Sequence, residues 1–131
     1  MPPEEAYAVA RAGNTRAPET ELRTRVLNSL MLLDDGRWTY RYDKALRDPA
    51  RPRPQPDAAG HWAMLARIAT PSLLVRGALS AALDTEVARK MTEVMPNCTL
   101  ATVPDAGHTI PLDNPQGFIA TVRPFLLPSE A

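Results

Sequence analysis

Val103-Pro-Asp-Ala-Gly-His-Thr-Ile-Pro-Leu-Asp-Asn-Pro115 is the stretch whose reading decides the fold. It ends an apolar run, turns through Gly107-His108 and enters a segment that Pro115 is suited to open as a helix. One of only two histidines therefore sits on a loop between a strand and a helix, where a side chain is exposed and aimed.

Upstream, Ser72 to Val75 reads as a short buried strand ending at Gly77, and Asp84 to Met95 as an amphipathic helix opened by Asp-Thr-Glu. Cys98 to Val103 is a second strand and Pro115 to Leu126 a second helix, with Asn114 or Asp113 as its N-cap. Strand, helix, strand, helix with short connections implies two parallel strands joined by a right-handed crossover. Functional loops of such a unit lie beyond the carboxyl ends of the strands, here residues 77 to 84 and 104 to 113. His61 to Ile68, with Trp62, Leu65 and Ala69 at helical spacing, predicts a helix leading into this unit.

The first part of the chain reads differently. One short helix runs from the Pro2-Pro3 start to near Arg11, with Glu4 and Glu5 in its opening turn and Gly13 as its stop. A second spans Pro18 to about Asn28, carrying Leu22, Val26 and Leu27 on one stripe. Asp34-Asp35-Gly36 then separates Leu30 to Leu33 from Trp38, Tyr40 and Tyr42, a strong hairpin signal. The aromatic stripe reads first as one packed face of that hairpin and second as the lining of an apolar pocket. Pro49 to Pro56 cannot continue a helix or a ladder, because proline lacks an N–H and disfavours the helical region in the residue before it. Arg47, Arg51 and Arg53 are interleaved with these prolines and balanced by Asp48 and Asp57, so they read as a solvated connector. The expected organisation is α/β. A lid-like helical and hairpin segment with its Pro-rich connector occupies residues 1–60, and a β-α-β-α unit occupies residues 61–131.

The totals narrow the function classes. Fifteen basic and fifteen acidic residues give zero formal net charge, so no long-range field steers the chain toward nucleic acid or an anionic membrane. Cys98 is the only cysteine, and with no secretory leader pattern at the start a reducing cytoplasmic setting is the expectation. Two histidines and one cysteine without ligand spacing give no basis for a metal, and no glycine-rich phosphate loop or other cofactor motif is present.

Ser72-Leu-Leu-Val-Arg-Gly77, a helix, Leu100-Ala-Thr-Val-Pro-Asp-Ala-Gly-His108, then Pro111-Leu-Asp-Asn-Pro115 and Phe118 through Phe125-Leu126 together resemble the C-terminal end of the α/β-hydrolase fold. The likeness covers about residues 62 to 127, and residues 1 to 60 look like the lid inserted before the last strands in that family. The resemblance implies an incomplete α/β-hydrolase fold with His108 in the place of the catalytic histidine. An imidazole there takes a proton from a hydroxyl and hands it to a leaving group, while a carboxylate fixes its tautomer. His61, beside Trp62, reads as structural or lid-lining.

The rest of the implied triad does not follow. Relatives commonly carry Ser-Asp where this chain has Ser80-Ala81, and Ala81 cannot accept a hydrogen bond. Asp84 is the only carboxylate in that loop, and two roles are open to it: orienting His108, or the commoner one of capping the helix behind it. Asp105 stands where the family loop often has an Asp without a triad role, and Asp113 is expected to cap the helix begun by Pro115.

A Gly-x-Ser-x-Gly elbow needs glycines four positions apart, and those at 13, 36, 60, 77, 107 and 117 contain no such pair. The expected function is therefore the C-terminal part of a hydrolase of small apolar esters, lactones or similar substrates, inactive until a part carrying the nucleophile completes it. The alternative is a non-catalytic binding or assembly protein of the same fold. Two parallel strands with an unpaired edge further imply association, with a second copy or with a complementing N-terminal chain, or else a loosely folded monomer.

Overall fold

The computed structural model describes residues 1–52 and 57–127. Arg53, Pro54 and Pro56 of the expected connector lie outside them. The chain divides into two compact units, Met1–Gln55 and Pro56–Ala131.

In the first unit, helices α1 (Pro3–Gly13) and α2 (Glu19–Ser29) precede strands β1 (Leu30–Leu32) and β2 (Trp38–Tyr40). Ala6 on α1, Val26 on α2 and Leu30 at the start of β1 form a small core, with Tyr7, Ala10, Trp38 and Tyr40 packed against it. The hairpin expected at Asp34-Asp35-Gly36 is present, with Leu30 opposite Tyr40 and Leu32 opposite Trp38. Gly36 takes φ of 79°, a left-handed conformation that glycine adopts without steric cost. Strand β2 ends at Tyr40, sooner than the alternation predicts, with one further bond from Arg41 N–H to the Ser29 carbonyl at 2.9 Å, and Tyr42 stacks on Tyr40 with ring centroids 5.2 Å apart.

The second unit opens with α3 (Ala58–Leu65), earlier than the predicted start at His61 and ending earlier than Ile68. Asp57 causes the shift: its carboxylate accepts from the Gly60 N–H at 2.9 Å and caps the helix at that point. Strand β3 (Ser72–Gly77), helix α4 (Thr85–Val94), strand β4 (Cys98–Val103), a short helix α5 (Ile110–Asp113) and helix α6 (Pro115–Leu126) follow. The two strands pair in parallel with Ser72 opposite Cys98 and Gly77 opposite Val103. Val103 and Ala106, both fully buried, join Ile110 in a core that Val75 and Phe118 cover.

Burial is uneven across this sheet. β3 is only partly buried from Ser72 to Arg76, although parallel strands are normally covered on both faces. A groove between β3 and α6 is lined by Leu73, Val75, Phe118, Val122, Phe125 and Leu126. Ile119 on α6 is 50% exposed and Leu126 65%. No helix among the described residues is long and apolar enough to cross a membrane.

Candidate active site

The two loops leaving the carboxyl ends of β3 and β4 are joined by backbone hydrogen bonds that extend the sheet. Ala78 N–H donates to the Val103 carbonyl and Leu79 N–H to that of Ala106, each at 2.9 Å. Close approach makes this possible. A Cβ on Gly77 would lie 2.5 Å from the Ala106 carbonyl oxygen and closer still to that of Gly107. Asp105, at φ of 53°, turns the chain so that Ala106 is buried and His108 emerges exposed.

Of the two residues expected as the cap of α6, Asn114 is the one used. Its Oδ1 accepts from Gly117 N–H at 2.9 Å and its Nδ2 donates to the Pro104 carbonyl at 3.0 Å. Asp113, expected as the cap, instead accepts the Gly107 N–H at 2.7 Å through Oδ2. The cause is geometric: α5 already ends at Asp113, so Asn114 alone occupies the position from which a side chain reaches N3 of the next helix. Asp113 thereby holds the residue that precedes His108, a charge-assisted bond of the stronger kind.

His108 Nδ1 lies 3.5 Å from Ser80 Oγ. Sequence reasoning weighed Ser80 only as the neighbour of Ala81. The register offered the missing signal, because pairing Gly77 with Val103 brings the turns that follow them side by side. Ala81 is exposed, and Asp84 caps α4 by accepting Val87 N–H at 2.8 Å. Among the described residues no hydrogen bond or ion pair joins Asp84 to His108. Nor is there a group of three or more His, Cys, Asp or Glu side chains that could hold a metal ion among them. His61 is exposed on α3, where the neighbouring Trp62 ring carries Lys90 Nζ 4.5 Å from its centroid.

No family model and no curated protein matches this chain. Solved structures do. An esterase from Mycobacterium tuberculosis is 25% identical with a TM-score of 0.79, over 95% of this chain and 41% of its own. An α/β hydrolase from Novosphingobium aromaticivorans is 26% identical with a TM-score of 0.67, over 95% of this chain and 45% of its own. An E-2-(acetamidomethylene)succinate hydrolase, 18% identical, shares the fold with a TM-score of 0.77. The chain spans less than half the length of each of the first two solved chains. With the parallel β3–β4 pair, its α4 crossover and the loop that carries His108, it has the fold of the C-terminal portion of an α/β hydrolase.

Proposed function

We propose that this chain is the histidine-bearing half of an enzyme that hydrolyses a small apolar ester, lactone or related acyl compound. One observation carries the reading: an exposed imidazole stands at the carboxyl ends of parallel strands, on a loop clasped by Asp113, in a fold similar to that of esterases. A complementing N-terminal part would supply the nucleophilic hydroxyl and the backbone donors of an oxyanion hole. His108 then takes the hydroxyl proton as the nucleophile attacks the substrate carbonyl, and returns it to the departing alcohol. Water repeats the sequence on the acyl intermediate with the same base. The open groove between β3 and α6 supplies an apolar seat for the completing part.

The reading is tested with a chromogenic short-chain ester. The chain alone is expected to give no more hydrolysis than its His108→Ala variant. Together with a part that carries a Gly-x-Ser-x-Gly elbow it should turn over, with a loss on the order of 10⁴-fold when His108 becomes Ala. An in-frame strand–Gly-x-Ser-x-Gly–helix encoded immediately upstream would supply that part. Hydrolysis by the chain alone that depended on His108 would overturn the assignment of the nucleophile to another part.

A second reading, a non-catalytic binding or assembly protein of the same fold, is favoured by one observation. Ala81 offers no carboxylate, and that of Asp84 is engaged in capping. Sedimentation separates the partners: a second copy on the open edge gives a concentration-dependent dimer, whereas a complementing part gives a one-to-one complex.

A further inference from the structure

We infer that Ser80 is the positioning residue of His108, a neutral hydroxyl serving where the hydrolase reading calls for a carboxylate. The geometry stands by itself, and its catalytic consequence rests on that reading.

Ser80 is only 9% exposed, a buried polar side chain in a loop whose other residues are exposed or, at Leu83, half-buried. Its backbone is fixed by donating to the Gly77 carbonyl at 3.0 Å. Its Oγ is fixed from the other side by Leu83 N–H at 3.3 Å, and faces His108 Nδ1 at 3.5 Å. A hydroxyl has one proton and two lone pairs. Leu83 fills one lone pair, which leaves the proton and the second lone pair for the imidazole. By rotating about its C–O bond the hydroxyl donates to a bare Nδ1 or accepts from Nδ1–H. It therefore restrains the ring in either tautomer and also when the ring is doubly protonated.

A carboxylate accepts only, so it selects the Nδ1–H tautomer and neutralises the imidazolium. Ser80 does neither. Ring placement and charge stabilisation, supplied together by an Asp, are separated here, and only the first is kept. The other side chains of this loop leave Ser80 without a competitor, since that of Ala81 has no polar atom and Asp84 accepts from Val87.

The test is ¹⁵N NMR of the imidazole nitrogens in the full chain, because the tautomer and the partner at Nδ1 set their resonances. Ser80→Ala is expected to move the His108 Nδ1 resonance toward that of the exposed His61 ring, and to leave His61 itself in place. An unchanged His108 Nδ1 beside an intact amide spectrum overturns the inference, and so does an equal movement of both rings. Should Ser80→Ala fail to fold, Ser80→Cys keeps the volume with a weaker donor and is read by the same two criteria. Since no turnover is read, a negative result leaves the hydrolase reading standing. An inactive completed enzyme would likewise leave the Ser80 contact standing.

Discussion

The loop after β4 and the loop after β3 lie side by side, the first clasped by a carboxylate and an amide and the second by a guanidinium. The β4 loop is clasped by side chains: Asp113 on Gly107 N–H and Asn114 on the Pro104 carbonyl. The β3 loop hangs on backbone bonds to its neighbour, on Ser80 and on Arg76, whose guanidinium donates to the Leu83 carbonyl at 2.8 Å and to that of Ala78 at 3.3 Å, while its one carboxylate caps α4. An imidazole can thus be placed without being given a charged partner. Both loops have supports within this chain, and what the loop after β3 does not bring to His108 is a carboxylate.

The sharpest way to break the comparison is to force the two loops apart. Gly77→Ala puts a methyl group against the carbonyls of Ala106 and Gly107, which are backbone atoms and cannot swing aside as a side chain would. A loss of about 3 kcal/mol in urea unfolding is expected, at the upper end of ordinary overpacking. Amide exchange should speed up in both loops together. Parental stability would mean that the loops are not held as closely as Gly77 implies.

Releasing only the clasp is a smaller perturbation. Asp113→Ala removes an acceptor from Gly107 N–H in a partly buried setting, and a cost of about 1.5 kcal/mol is expected for a bond to a charged group. Faster exchange should be confined to residues 104–109, with the β3 loop changed less. If α6 frayed instead, Asp113 would be acting as its cap after all.

Much of this architecture was legible because local and long-range signals agree. β4 and α6 span the predicted residues, and β3 and α4 lie within one or two of theirs, since Gly77, Asp84, Asn114 and Pro115 punctuate an apolar pattern whose period changes between strand and helix. The start of α3 is obscured in the sequence because Asp57 follows a run of prolines and reads as the connector's last residue, although its carboxylate is the cap. Asp113 is the one of the two expected caps that the structure uses otherwise, for a related reason. Its spacing from Pro115 suits a cap, whereas its bond to Gly107 closes a loop, and spacing along a helix carries no information about loop closure. The Ser80–His108 contact joins positions 28 apart and exists only through the strand register.

The smallest effects fall on Asp84, where they separate its two candidate roles. Asp84→Ala should cost about 1 kcal/mol through the lost cap, measured by thermal or urea unfolding. Asp84→Asn should cost only a few tenths of that, because an amide oxygen accepts the Val87 N–H about as well as a carboxylate does. The Asn variant removes the negative charge and keeps the cap, so it isolates whatever the charge does for His108. Both imidazole nitrogens of His108 are expected to keep their parental ¹⁵N positions in that variant, as the engagement of the carboxylate by Val87 implies. Movement of Nδ1 in Asp84→Asn, with Ser80 intact, would show that a carboxylate still reaches the ring and that the β3 loop modulates His108 electrostatically as well as sterically.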